Sequence, residues 1–432
     1  MKMANMDDYF DVVIVGTGAA GLYCALNLPA RYRILLLTKQ KADESDSFLA
    51  QGGICMQHGE ADYRPFFDDT MRAGHYENNP ATVDLMIRSS NSIIRDLVRR
   101  GVRFARDEHG ALRFTREGAH SRPRILFHED ITGHEITQTL LNEVLRCENI
   151  ELREHTTLLD FFADASACGG VIAAGPDGEP RAIGAGAVVL ACGGIGGLYK
   201  NSTNFPHITG DAIAMALRHG VACEHLDYIQ IHPTTLYSHR KGRRFLISES
   251  VRGEGALLLD KNGNRFTNEL QPRDVVSAAI RAQMEKDSTD HVWEDMRPIG
   301  EAAIREHFPN ILERCEEEGY DPIHEPIPVV PAQHYFMGGI TADLSSRTAL
   351  PRLYACGETC CNGVHGRNRL ASNSLLESLV FAQRAADDIL YGEPPVFTGD
   401  KPDLAPYREQ EPLFAAYRQE VLTAIERSKN HE

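Results

Sequence analysis

Residues 115–124, TREGAHSRPR, set one carboxylate, Glu117, among Arg116, His120, Arg122 and Arg124. Gly118 and Pro123 interrupt the stretch, so neither a plain helix nor a plain strand is expected there. For an isolated Arg-Glu-Gly triplet the simplest reading is an ion pair with a neighbouring arginine. Whether this acid has chemical work depends on what the rest of the chain builds around it.

A second constellation lies at 11–28, DVVIVGTGAAGLYCALNL: a β-branched run, Gly16-x-Gly18-x-x-Gly21, and an Ala/Leu-rich helical segment, followed by the strand candidate RILLLTK. Strand, glycine turn, helix, strand is the setting in which this spacing binds a dinucleotide. Gly16 permits the tight turn, Gly18 lets backbone approach a pyrophosphate, and Gly21 lets the helix sit close to the strand. The helix N-terminus then offers its partial positive charge to the phosphates. The second strand ends in Thr38-Lys39, where many such folds carry an acid for the ribose, so that partner must come from elsewhere. Glu358, at the end of the short apolar run in LYACGETC, is the candidate. AVVLACGG (187–194) ends in paired glycines, as suits backbone passing close to a flat or charged cofactor.

Six further stretches carry a resemblance: SFLAQGGI (47–54), HPTTLY (232–237), RGEGA (252–256), PRDVVSAAI (272–280), HYFMGGI (334–340) and GRNRLASNSLLE (366–377). In order and spacing, over about residues 8 to 392, the chain resembles the succinate dehydrogenase and fumarate reductase flavoprotein family. The resemblance implies an α/β fold in which a Rossmann-like FAD-binding domain is interrupted by an α+β capping domain, with the active site between them. The FAD-binding domain would comprise 1–225 and 336–392 and the cap 226–335, while 393–432 would form a Pro-rich linker and a short helical tail. In this chain that tail stands where the family has a long C-terminal helical domain, so the domain is expected to be missing or reduced.

By the same resemblance FAD is held at the glycine turn by Gly16, Thr17, Gly18, Ala19, Ala20 and Gly21. The next stretch on the cofactor is Asp46, Ser47, Phe48, Leu49, Ala50, Gln51, Gly52 and Gly53, with Lys39, Asp211, Glu358, Ser374 and Leu375 completing the set. In the respiratory dehydrogenases a histidine five residues before the Gln of AQGG attaches FAD covalently; Asp46 stands there in this chain, so a non-covalent cofactor is expected. Arg369, His232 and His334 are implied as the groups holding a C4 dicarboxylate, with Ser248 and Glu249 completing the pocket. Arg273 matches the arginine used for proton transfer. Because guanidinium is a poor free base, that role needs a neighbour such as Glu249 or Arg252.

Glu117 is absent from the respiratory enzymes and matches a glutamate in the branch that oxidises L-aspartate. Aspartate adds an α-ammonium to the dicarboxylate, and a buried ammonium among cations needs an anionic partner. Glu117 can supply that charge, with its cationic neighbours keeping it ionised. The implied reaction is hydride removal from the aspartate Cα to FAD, giving iminoaspartate, with dioxygen or fumarate as electron acceptor. That reaction is the first step of de novo NAD biosynthesis, with quinolinate synthase consuming the product. A soluble fumarate reductase or succinate dehydrogenase-type flavoprotein is the alternative, and a non-catalytic flavoprotein a third reading. Arg367 stands where the family usually has a small residue, either a further carboxylate contact or a surface cation.

The elements that must position these groups are ordinary in composition. The chain has 432 residues, 42% of them hydrophobic, enough for a large core in two or three domains. A net charge of -16 with no basic run argues against nucleic acid or an anionic membrane surface. The ten cysteines include no CxxC pair, and Cys356, Cys360 and Cys361 read as packing rather than a metal site. No apolar stretch approaches the roughly 20 residues needed to span a bilayer, and the N-terminus does not match a signal peptide, so a cytoplasmic protein is expected. Helices are predicted at 274–287 and 371–390.

Overall fold

The computed structural model describes residues 8–239, 242–392 and 401–429. Its main sheet has the strand order Ile150–Arg153, Ile34–Leu37, Asp8–Val15, Pro180–Leu190, Cys168–Ala174, Thr157–Ala163. A seventh strand, Leu353–Ala355, also pairs with Pro180–Leu190. Strands at the glycine-turn end run parallel, with Val15 opposite both Leu37 and Leu190. Parallel strands are covered on both faces, so VVIV, ILLL and AVVL appear as continuous apolar runs rather than alternating ones. Pro180–Leu190 is longer than the apolar run because its first half pairs antiparallel with Cys168–Ala174.

Gly16 adopts φ +114, and a Cβ there would lie 2.0 Å from the Ala191 carbonyl oxygen. A Cβ on Gly21 would lie 1.9 Å from the Gly16 oxygen, so the helix Ala19–Asn27 can sit against its strand only with glycine there. The helix Asn373–Tyr391, begun two residues later than expected, packs across Ala19–Asn27 through Leu376, Leu379 and Ala382. The last helix, Gln410–Lys429, docks Tyr417, Val421 and Ile425 onto the core beneath Asp211–Arg218. Residues 393–400 of the expected Pro-rich linker lie outside the described residues.

Between Pro180–Leu190 and Leu353–Ala355 the chain inserts a second unit. It is an antiparallel sheet ordered Ile229–Leu236, Ile327–Phe336, Val292–Asp295, Leu257–Leu259. The helices Glu249–Gly253, Arg273–Asp287, Glu301–His307 and Pro309–Glu317 accompany it. Its core contains Ile247, Val251, Leu258, Val276, Ile280 and Ile327.

A carboxyl side chain enters that core. Glu294, opposite Leu258 and Ile327, is 0% exposed, and neither carboxyl oxygen has a hydrogen-bond partner among the described residues. Burial pushes its pKa up to about 8, with Arg252 pulling the other way. The folded pKa is above the unfolded value of about 4.3. The associated stability is therefore fully present below the unfolded value and is lost as pH rises through about 8. Glu294→Leu is expected to stabilise the fold, by on the order of 2–4 kcal/mol near neutral pH, with a gain that grows on going alkaline. Thermal melts at mildly acid and at alkaline pH check this; an equal gain at both would refute it.

Candidate active site

The strand ends, the glycine turn and the inserted unit enclose one large cavity of about 1720 Å³, counting space open to solvent. Gly16, Thr17, Gly18 and Ala20 form one wall with Lys39 and Asp211. Asp46, Ser47, Leu49, Ala50, Gln51, Gly52 and Gly53 continue it, and Glu358, Ser374 and Leu375 close it from the C-terminal segments. At the far end the lining is Glu117, His232, Ser248, Glu249, Arg273, His334 and Arg369.

Three residues expected on the cofactor do not face this space. Phe48 turns into the core, where its ring is covered and meets His134 edge-on at 5.7 Å. Gly21 faces its own strand, and the Ala19 N–H donates to Ser47 Oγ at 3.0 Å. Lys39 and Asp211 do line the cavity but neutralise each other, Nζ to Oδ2 at 2.6 Å. Gly193 lines the space as well, whereas a Cβ on Gly194 would lie 2.4 Å from Glu358 Oε1, so the second glycine makes room for that acid. Glu358 also accepts the Phe336 N–H at 2.9 Å.

The cavity fits FAD. Its walls leave Ser45 Oγ, Asp46 Oδ2 and Gln51 Oε1 buried without a hydrogen-bond partner among the described residues. The Gly18 end of the first helix opens on it without a side-chain cap. Burial raises Asp46 to about 7.

At the substrate end the cations are held apart by specific partners. Arg273 donates from Nε to Glu249 Oε2 at 2.5 Å and from Nη1 to Gln230 Oε1 at 2.9 Å. Arg252 approaches the same Glu249 oxygen at 3.9 Å. Burial alone would raise the Glu249 pKa, but Arg273 and Arg252 outweigh it and hold the carboxylate below its ordinary range. Gln230 Nε2 donates to Asn368 Oδ1 and to the Arg369 carbonyl, both at 2.8 Å, tying the inserted unit to the arginine loop.

Arg369 Nη1 donates to Ser374 Oγ at 3.0 Å, and its guanidinium lies 4.5 Å from the Tyr335 ring centre. Its Nε is buried without a partner among the described residues. Burial and Arg273 pull its pKa down to about 10, which leaves it charged at neutral pH. His232 and His334 stand edge-on at 5.1 Å. Burial and then Arg273 push both far below the ordinary histidine range, so they serve as neutral donors rather than cations. Thr203 Oγ1 and His334 Nδ1 are hydrogen-bonded at 2.7 Å. His232 Nδ1 lies 3.0 Å from the Thr234 carbonyl oxygen and 3.2 Å from the Thr234 nitrogen, while Nε2 is buried without a partner among the described residues.

Glu117 is 4% exposed, and its partners are hydroxyls: Ser250 Oγ donates to Oε1 at 2.9 Å and Ser372 Oγ to Oε2 at 2.6 Å. The expectation that neighbouring cations keep it ionised is corrected here. Arg116 and Arg122 are exposed, and Arg122 reaches the Ala61 carbonyl instead. Arg124 is fully buried and committed to Asp62, Asp69 and His120 Nδ1. His120, pushed down to about 4 by burial and Arg124, is neutral and meets the Ala371 carbonyl at 3.0 Å. Burial and then Glu249 raise the Glu117 pKa above its ordinary range, while Ser372, Arg273 and Ser250 pull it back. Arg367 lies outside the cavity, over Tyr228 and 3.8 Å from Glu77.

Sequence reasoning missed Gln230, Ser250, Ser372 and Thr203. Gln230 was within reach, since it lies two residues before His232 on one strand and so shares its face. Ser372 stands inside a matched motif and Ser250 two residues before one, but nothing local shows that two segments 122 positions apart (372 − 250) converge on a third.

An FAD binding domain family model matches residues 11–375. The chain is 48% identical to the L-aspartate oxidase of Clostridium perfringens over 380 residues, covering 88% of this chain and 86% of that one. It is 44% identical to the L-aspartate oxidase of a Nostoc species, covering 98% and 76%. Among solved structures, an E. coli quinol fumarate reductase superposes with a TM-score of 0.84 at 32% identity, over 95% of this chain and 74% of that one. Identity of this level over most of both chains, on a fold shared with fumarate reductase, is decisive: the chain belongs to the L-aspartate oxidase family of FAD-binding flavoproteins.

Proposed function

We infer that this cavity is where the chain oxidises L-aspartate to iminoaspartate, with Glu117 facing the α-ammonium and 226–335 acting as the cap. Electrons pass to fumarate or dioxygen. When bound, FAD supplies the two-electron acceptor for the hydride leaving Cα. Arg369 and the neutral donors His232 and His334 grip the carboxylates, beside Ser248 at the start of its short helix. Arg273, clamped between Glu249 and Gln230, orients the substrate, and any proton it handles passes to Glu249, the carboxylate it touches.

The observation that carries this reading is Glu117: a buried carboxylate with hydroxyl partners and, among the described residues, no arginine bonded to it, lining the same cavity as Arg369 and Arg273. In a pocket otherwise built for anions, such a group has no task toward succinate or fumarate. Anaerobic addition of L-aspartate to the FAD-loaded protein tests the reading. The flavin absorbance should bleach and return with fumarate. A spectrum unchanged by aspartate would refute it, leaving a fumarate reductase-type flavoprotein or a binding protein.

Further parts of this reading rest on chemistry. With Asp46 where a histidine would be needed for attachment, FAD is held non-covalently and should stay in the supernatant after acid precipitation. Iminoaspartate is unstable in water, which calls for a consuming enzyme close by, and quinolinate synthase is the one this pathway provides. Ten free cysteines support a reducing, cytoplasmic setting, and among the described residues no helix is long and apolar enough to cross a membrane.

A further inference from the structure

Glu117 has to be ionised to meet an ammonium, yet burial and Glu249 both press it toward the neutral acid. Ser372, Arg273 and Ser250 oppose them, and the two hydroxyls come from opposite sides of the cavity. Ser372 precedes the helix Asn373–Tyr391 of the FAD-binding part and is turned inward by a left-handed backbone, φ +61. Its position is fixed by the segment itself, because the preceding Ala371 carbonyl is held by His120. Ser250 belongs to the inserted unit, as the second residue of Glu249–Gly253.

That short helix assigns three consecutive residues to three contacts. Ser248 Oγ caps it, accepting the Ser250 N–H at 3.2 Å; Glu249 holds Arg273; and the Ser250 side chain reaches Glu117. Among the described hydrogen bonds, Ser250 makes the inserted unit's direct bond to the Glu117 carboxylate. Backbone on both sides is cut back to admit the acids: a Cβ on Gly52 would lie 2.3 Å from Glu117 Oε1, and one on Gly118 would lie 2.6 Å from Glu249 Oε1. The oxygen that Ser250 engages is therefore packed against the Gly52 backbone, and a carboxylate oxygen accepting one hydroxyl keeps a second lone pair for another donor.

We propose that Ser250 is a specificity-determining positioning residue: its hydroxyl, delivered by the cap, keeps Glu117 ionised and aimed at the α-ammonium. Amino-acid oxidation then depends on the seating of this helix in a way that dicarboxylate reduction does not. The inference rests on the reading of Glu117 as the ammonium partner. The charged and titratable groups around Glu117 are Glu249 and Arg273 from the cap, and Cys55 from the FAD-binding part. Ser250→Ala alters none of them.

The test uses the FAD-loaded full chain. Ser250→Ala should lower kcat/KM for L-aspartate by about tenfold or more, as expected for a hydrogen bond to a charged group, with most of the loss in KM. The acid limb of the aspartate pH profile should move to higher pH, because a carboxylate stripped of one donor protonates sooner. Fumarate reduction with a reduced dye should stay within about twofold, Ser250→Thr should restore aspartate activity, and in a Glu117→Gln background Ser250→Ala should add nothing. Equal loss on both substrates would overturn the proposal as a merely structural effect. So would unchanged aspartate kinetics in a protein where Glu117→Gln is selectively damaging. If Glu117→Gln itself harms both substrates alike, the underlying reading of Glu117 is what fails.

Discussion

Glu117→Gln should cut kcat/KM for L-aspartate by roughly 10²- to 10⁴-fold while leaving fumarate reduction within a few-fold. Glutamine keeps the volume and still accepts one of the two serine hydroxyls, so the pocket shape survives. What is lost is the negative charge. The ammonium then enters a buried site containing Arg273 and Arg369 with an amide dipole opposite it, and breaking a buried charge pair costs about 3–5 kcal/mol. Fumarate has no nitrogen and loses nothing. Steady-state kinetics on both substrates decide it; a parallel loss would show that Glu117 supports the pocket rather than reading the amino group.

Arg369→Leu should lower kcat/KM by on the order of 10³-fold for aspartate and fumarate alike. Arg369 is buried, still charged, and has an Nε without a partner among the described residues, so its fork has binding capacity that the fold does not use. Removing it takes one of the two guanidinium groups from the substrate end and leaves the histidines there neutral. Arg369→Lys should recover little, because a point charge cannot reproduce the planar two-donor contact. A loss confined to aspartate, or a loss smaller than about tenfold, would mean that the carboxylate is gripped elsewhere.

Much of the fold could be read from local pattern. The apolar runs at 12–15, 34–37 and 187–190 are long enough to be buried strands and too short to be buried helices, and the glycines at 16, 18 and 21 sit where the turn and the close helix require them. The helix expected at 274–287 is Arg273–Asp287, and its early start brings Arg273 into the first turn, where it can face Glu249. Partner choice among charges was not legible. Arg124 looked like a neighbour of Glu117 but belongs to Asp62 and Asp69, more than 50 positions away, because a fully buried guanidinium needs full neutralisation and those acids supply it. Lys39 likewise meets Asp211, 172 positions on. Glu294 gives no warning in HVWEDMR that it faces an apolar core. Periodicity reports which face a residue takes; it does not report which distant segment brings a hydroxyl or a counter-charge to it.

The most direct test is a crystal structure of the FAD-loaded protein, reduced beforehand so that no turnover occurs, with L-aspartate bound. The substrate nitrogen should lie within about 3 Å of a Glu117 carboxylate oxygen, with the carboxylates toward Arg369 and the histidines. A nitrogen turned toward Glu249 or toward solvent, with Glu117 bonded only to Ser250 and Ser372, would contradict the account.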